Sequence, residues 1–253
     1  MTKKKRLADD LKPVKIRAFD PNGIGHPNGN LFGLPFTPEE SAGVIIPVPW
    51  DATASSRSGT AHAPKMILEA SYQIDLFDSD IQDAWKMGIA MLPISYEWRR
   101  RNTALRRKAR KVIQHLEQGG QSEDPKVRAH LEEVNANSSL LGEWVRETAI
   151  ELLEAGKIVG VLGGEHSVPL GLMEALGKSS YGVLHIDAHF DLRLAYQGFR
   201  YSHASIMRNA SDISSITRFV HVAIRDFCDE EHKVVKNSND RHIAFTDRDM
   251  KRR

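Results

Sequence analysis

The chain has 253 residues, 41% of them apolar, enough for one large packed domain and unlike a disordered chain. Its 35 Lys and Arg against 33 Asp and Glu leave a net charge of only +2, so neither nucleic acid nor an anionic membrane is expected as a partner. The single cysteine, Cys228, excludes an intramolecular disulfide, and no apolar run approaches the roughly 20 residues of a membrane span or forms a leader's core; a soluble cytoplasmic protein is expected.

Residues 1–37 are broken by Pro21-Asn22-Gly23 and Pro27-Asn28-Gly29 and show little periodicity, which predicts an irregular N-terminal arm ahead of an α/β domain over 38–253. Residues 42–49 read as a first apolar strand stopped by its prolines, and a Ser/Thr/Gly loop follows at 51–59. Pro64 suits the first turn of a helix over 65–70, and 87–92 reads as a short strand. A strongly basic helix starts at Asn102, and Pro125 opens another that reaches Ala155, with a break expected near 135–139. Leu140, Trp144, Val145, Thr148, Ala149 and Leu152 share one face of it. The two helices make a helical elaboration at about 100–142, and the basic runs at 3–6 and 99–108 read as solvated. Apolar strands at 158–162, 181–186 and 219–224 follow, with a helix at 169–176, and the charged run 247–253 reads as a tail. Doubly buried strands alternating with helices predict a three-layer α/β/α fold around a mostly parallel sheet.

The chemistry concentrates in His185-Ile186-Asp187-Ala188-His189-Phe190-Asp191, directly after an apolar strand. Asp187, His189 and Asp191 share one face of an extended chain, but the outer two would then lie roughly 13 Å apart, too far to share an ion. The chain must curl as it leaves the sheet, at the carboxyl edge where open α/β sheets bind ligands. Mixed carboxylate and imidazole ligands suit Mn, Zn, Fe, Co or Ni better than Ca or Mg. Taken alone, the triplet is equally a buried histidine held by acids that cap the next helix. Gly163-Gly164-Glu165-His166-Ser167, after another apolar strand, adds a second histidine that a sharp glycine turn aims into the same crevice.

These two motifs resemble the paired amino-terminal metal motifs of the ureohydrolases, the arginase and agmatinase family, usually Gly-Gly-Asp-His-Ser and Asp-Ala-His-x-Asp. Three further segments agree in order: Pro49-Trp50-Asp51 through Arg57-Ser58-Gly59 and Ala63-Pro64 with an early active-site loop, Tyr201-Ser202-His203-Ala204-Ser205 with a Ser-His-Gly-Thr segment, and Val222-Ala223-Ile224-Arg225 with a strand ending in Gly-Ile-Arg. The resemblance implies that His166 and Asp191 bind a first metal and His189 a second, with Asp187 bridging them and acting in catalysis. It implies two divalent ions, usually manganese and in some members nickel. His203 falls where the family keeps a proton-shuttling histidine, a role that suits an imidazole. Arg193 is a candidate for a substrate carboxylate, with an interface ion pair as its alternative.

The implied reaction is hydrolysis of a guanidino C–N bond, releasing urea and an amine. Agmatine is the first substrate expected, with formimidoylglutamase or guanidine hydrolase activity as alternatives, and a homo-oligomer is expected. Glu165 stands where the family usually has Asp, and Ala204 where Gly is common. The later Ser-x-Asp-x-Asp motif has no counterpart, since no apolar strand is seen leading into Asp247-Arg248-Asp249. An arginase-like fold shortened at its carboxyl end is therefore expected, with a truncated, non-catalytic paralogue that binds metal or a subunit as the reading from a different class.

Overall fold

Parallel pairing of short apolar strands organises the chain. A computed structural model describes residues 3–251, with side chains from residue 11 onward. The ends of the expected arm and tail (Met1, Thr2, Arg252 and Arg253) and the side chains of the basic run at 3–6 lie outside the described residues.

Strand β1 (Gly43–Val48) lies between β2 (Ile89–Met91) and β3 (Ile158–Gly163), parallel to both. A proline in a central strand costs a ladder hydrogen bond. Pro47 escapes this cost because odd-numbered residues of β1 face β2: Gly43 N donates to Gly88 O (3.1 Å), and Ile45 O accepts from Leu92 N (2.9 Å). At Pro47 that side of β1 has no paired neighbour, because pairing with β2 ends at Ile45 and Met91.

The even-numbered side chains of β1, including Ile46 and Val48, pack with Val159 and Val161 beneath two long helices. These are α3 (Tyr96–Glu117) and α4 (Pro125–Glu154); α1 (Lys3–Ala18) and α2 (Ala63–Ser71) precede them. Ser95 caps α3 by accepting from Trp98 N (3.2 Å), and Asp124 caps α4 ahead of Pro125 by accepting from Lys126 N (2.9 Å). Helix α4 runs unbroken through 135–139, where an interruption was expected. Asn137 and Ser138 turn their side chains onto carbonyls one turn back, which keeps their polar groups satisfied inside the helix.

The second half repeats the pattern. Helix α5 (Leu170–Ala175) leads to β4 (Tyr181–Ile186), α6 (Ile206–Ala210), β5 (Ile216–Ile224), α7 (Asp229–Lys236), β6 (His242–Thr246) and α8 (Asp247–Lys251). Strands β4, β5 and β6 pair in parallel in that order. One face packs Val183, Phe219 and Ala244 against Phe190, Ile206 and Met207. On the other face of β4, Leu184 and Ile186 are 66% and 71% exposed.

Three further expectations change. Among the described residues the parallel strands form two three-stranded sheets and not one, with β3 and β4 unpaired to each other. Of the arm expected over 1–37, residues 3–18 form helix α1 and an irregular stretch follows; the end of the helix is tied down by Lys15 on Glu40 (2.6 Å), and Ile16 and the following Phe19 pack against Leu34, Phe36 and Trp85. The charged run at 247–253, expected as a tail, forms helix α8 over Asp247–Lys251, and strand β6 leads into it because Ile243 and Phe245 add an apolar rung beside Val220 and Val222.

Candidate metal centre

The carboxyl ends of β3 and β4 deliver the site. After β3 the chain turns at Gly164, where a Cβ would lie 1.7 Å from Trp50 O, so only glycine allows Glu165 N to donate to that carbonyl (2.9 Å). Glu165 turns inward and is buried, accepting from Thr53 N (3.1 Å), Thr53 Oγ1 (2.6 Å) and Ser167 Oγ (2.8 Å). Burial dominates those hydrogen bonds and pushes its carboxyl up to about 7. His166 turns outward. Its Nδ1 lies 2.9 Å from Asp191 Oδ2 and 3.1 Å from Asp187 Oδ2.

After β4 the chain curls, as the spacing of its ligand types requires. Asp187 N donates to Val222 O on β5 (3.1 Å), and Asp187 Oδ1 accepts from His189 N (3.0 Å). Burial raises the Asp187 carboxyl, but hydrogen bonding from His185 and His189 N–H and the nearby His166 outweigh it and hold it well below the usual carboxylate range. Asp191 adopts a left-handed φ of 54°, which redirects its buried side chain towards His166. Its carbonyl accepts from Met207 N (3.0 Å) and Arg208 N (3.2 Å), which holds that turn in place.

Ligand atoms of His166, Asp187 and Asp191 all lie within 4.8 Å of one another. His189 sits beside this group, its Nδ1 3.5 Å from Asp187 Oδ1 and its Nε2 3.6 Å from the exposed Asp226. His203 opens a short turn across the same hollow, its Nε2 3.4 Å from Ser55 Oγ and its ring edge-on to Tyr196. Burial pushes its imidazole down, favouring a neutral ring. Arg193 lines the hollow, lying over Tyr196 and 4.0 Å from Glu231. Asp247 and Asp249 serve helix α8 instead, through Lys251 (2.7 Å) and Thr246.

Several residues that shape the site carry no motif. Arg106, one of the basic α3 residues expected to be solvated, is buried and donates to Ala52 O (3.3 Å), Ala54 O and Ser58 Oγ (3.0 Å), pinning the 51–59 loop. Asn102 donates to Asp51 Oδ1 (2.9 Å) beside it. Glu231 is buried, accepting from Leu192 N (3.0 Å) and Cys228 N (3.0 Å). The one sequence signal for the first pair is that Asn102 and Arg106 lie four apart on a helix, hence on one face.

The Arginase family model matches residues 41–253. An N(1)-aminopropylagmatine ureohydrolase of Thermus thermophilus is 34% identical over 182 residues, covering 69% of this chain and 49% of that one. The protein of that name from Synechocystis is 26% identical over 209 residues, covering 79% and 56%. The chain thus spans about half the length of these relatives. Among solved structures, agmatine ureohydrolase of Thermoplasma volcanium superposes with a TM-score of 0.63 at 22% identity, covering 94% of this chain and 66% of that one. Proclavaminate amidino hydrolase of Streptomyces clavuligerus gives 0.60 at 18% identity, covering 88% and 64%. With its α/β fold, parallel strands and paired motifs at the strand ends, the chain belongs to the arginase family.

Proposed function

We propose that the protein is a metal-dependent hydrolase of a guanidino C–N bond, agmatinase-like, releasing urea and an amine. The observation that carries this reading is the meeting of His166, Asp187 and Asp191 from two strand ends beside an open hollow. The donor set fits a transition-metal ion: two carboxylates and an imidazole whose ligand atoms share one small volume. His166 and Asp191 would hold one ion and His189 a second, with Asp187 shared between them. Bound divalent ions, manganese first and nickel next, would make a nucleophilic water available near neutral pH.

The chain's own residues account for the rest. The carboxylates of Asp226 and Glu231 around the hollow suit a cationic guanidinium and its cationic tail. His203, kept neutral by burial, is poised to accept a proton and pass it to the leaving amine. Agmatine is the substrate we propose first. N(1)-aminopropylagmatine, named for the relatives above, is a longer polyamine of the same chemistry. Arg193 favours a second reading, a substrate with a carboxylate such as formimidoylglutamate. We further propose a cytoplasmic homo-oligomer; no helix among the described residues is long and apolar enough to cross a membrane.

Turnover of a panel of guanidines and amidines with Mn or Ni added, with urea measured, tests this reading. Urea release that is lost in Asp187→Asn is the expected result. Formamide in place of urea would select the second reading, and metal binding without turnover would select the non-catalytic paralogue.

A further inference from the structure

Among the described residues, the hollow beside the candidate metal centre is lined by side chains from His189 to Glu231 and by one from the first half of the chain, Ser55. Its Oγ lies 3.4 Å from His203 Nε2. Ser55 belongs to the 51–59 loop, which has neither helix nor strand to hold it. Buried polar side chains hold it instead. Asp51 closes the loop, its Oδ2 accepting from Gly59 N (2.7 Å). Asn102 clamps Asp51 by donating to its Oδ1 (2.9 Å) and accepting from its N–H (2.8 Å). Arg106 Nη1 gathers the carbonyls of Ala52 (3.3 Å) and Ala54, and its Nε donates to Ser58 Oγ (3.0 Å). Between the two gathered carbonyls, Thr53 N and Oγ1 donate to Glu165 (3.1 and 2.6 Å). The loop is thus tied to α3 on one side and to the turn before His166 on the other, and Ser55 follows directly after both ties.

Burying a guanidinium is costly unless its donors are paired, and the hydrogen bonds of Arg106 go to atoms of this loop. On the same helix Leu105, Ala109, Val112 and Ile113 fill the core with apolar side chains. An apolar residue at 106 would fill space equally well. What only the planar fork does is fix three acceptors at once, and with them the course of the loop. A hydroxyl carries two lone pairs besides its proton, so Ser55 can pair with His203 and still accept from a guanidinium N–H.

We propose that Ser55 is a substrate contact, accepting from the guanidinium of the substrate, and that Arg106 is a positioning residue that acts through it by fixing the 51–59 loop against the hollow. The proposal rests on the reading of the hollow as the site of a guanidino compound. Arg106 itself is buried and does not line the hollow.

Hydrogen exchange of the whole chain reads the loop, and agmatine reads the consequence. Agmatine binding is taken as KM with Mn added, or as a calorimetric Kd if no urea is released. Ser55→Ala should weaken agmatine binding about tenfold, the scale of one hydrogen bond to a charged group. It should do so through KM and not kcat, with loop exchange as in the parent. Arg106→Met keeps much of the buried volume and removes the fork; it should weaken binding to a similar degree and speed exchange at Ala54 and Gly59 about tenfold or more. Arg106→Lys retains a donor and should fall between, and it carries the same comparison if Arg106→Met does not fold. Parent-like loop exchange in both Arg106 variants, or parent-like agmatine binding in Ser55→Ala, would overturn the proposal while the guanidino reading stands. A lower urea midpoint in Arg106→Met with agmatine binding unchanged would assign the arginine to stability alone. A parent chain that neither binds nor hydrolyses any guanidine or amidine of the panel would overturn the reading beneath it, and the proposal with it.

Discussion

Ala223 shows how one side chain can carry a backbone cost that the site requires. Its φ is 68°, and the pairing of β5 with β6 slips between Val222 and Ile224. The bulge lets Arg225 N (2.8 Å) and Asp226 N (3.1 Å) both donate to Ala188 O, within the loop that carries His189. A left-handed conformation costs a non-glycine residue about 1–2 kcal/mol. Glycine relieves that cost but loses roughly 0.5–1 kcal/mol in chain entropy. Ala223→Gly should therefore stabilise the chain by about 0.5–1 kcal/mol, seen as a higher urea midpoint at unchanged slope; a lower midpoint would mean the turn is unstrained. The residues of the candidate metal centre were legible because their motifs are short and local, as with Asp187, His189 and Asp191. Arg106, Glu231 and the buried His185, His221 and His242 were not, because each acquires its role from a residue far away in sequence.

At the scale of elements, strands with continuous apolar runs were legible and those built from mixed residues were not. Strand β6 reads His-Ile-Ala-Phe-Thr between charged flanks, and only its pairing with β5 makes it a strand. Helix α1 contains Pro13 and leaves Leu11 and Val14 about half exposed, and what fastens its end is Lys15, Ile16 and the following Phe19 meeting partners elsewhere. The histidines spanning β4, β5 and β6 also give this sheet a pH signature. His221 is held down to about 3 by burial, then by His185 and His242; His242 is held to about 4 by burial, then by Arg241 and Arg208. The unfolded chain takes up their protons from about pH 6.5 downward while the folded chain does not, so it binds more protons in that window. Stability is fully present above about pH 6.5 and is lost as pH falls towards 4. The two residues set a slope of at most roughly 2.7 kcal/mol per pH unit. Glu165, raised to about 7 by burial, takes up a proton in the folded chain over the same range and offsets up to about half of this slope. Urea unfolding at pH 7 and pH 5 should show a smaller fall in His242→Asn than in the parent chain; an identical pH dependence in the two would mean the His242 ring is not held neutral.

At the scale of the whole molecule, the two half-sheets leave an apolar surface uncovered. Ile158 at the start of β3 and Leu184 and Ile186 on β4 are each about two-thirds exposed or more. Val222, Phe245 and Met250 line a shallow apolar hollow on the face of the second sheet. Among the described residues β3 and β4 are edge strands of separate sheets, so each offers backbone donors and acceptors that another chain can use. Contiguous exposed apolar surface with unpaired strand edges drives association, since both the apolar area and the edge hydrogen bonds are satisfied by a second chain. The chain should therefore elute above its monomer mass of 28.4 kDa in size-exclusion chromatography with light scattering, or lose solubility as concentration rises. Replacing Leu184 and Ile186 together by Thr places β-branched side chains suited to a strand while removing most of the apolar surface, and should shift the population towards monomer. Those two side chains make no part of the His166–Asp187–Asp191 cluster, so Mn binding should survive the change. A parent chain that runs as a monodisperse monomer with a sharp thermal transition would show that two separate half-sheets suffice for a stable surface, and the drive to associate would have to be abandoned.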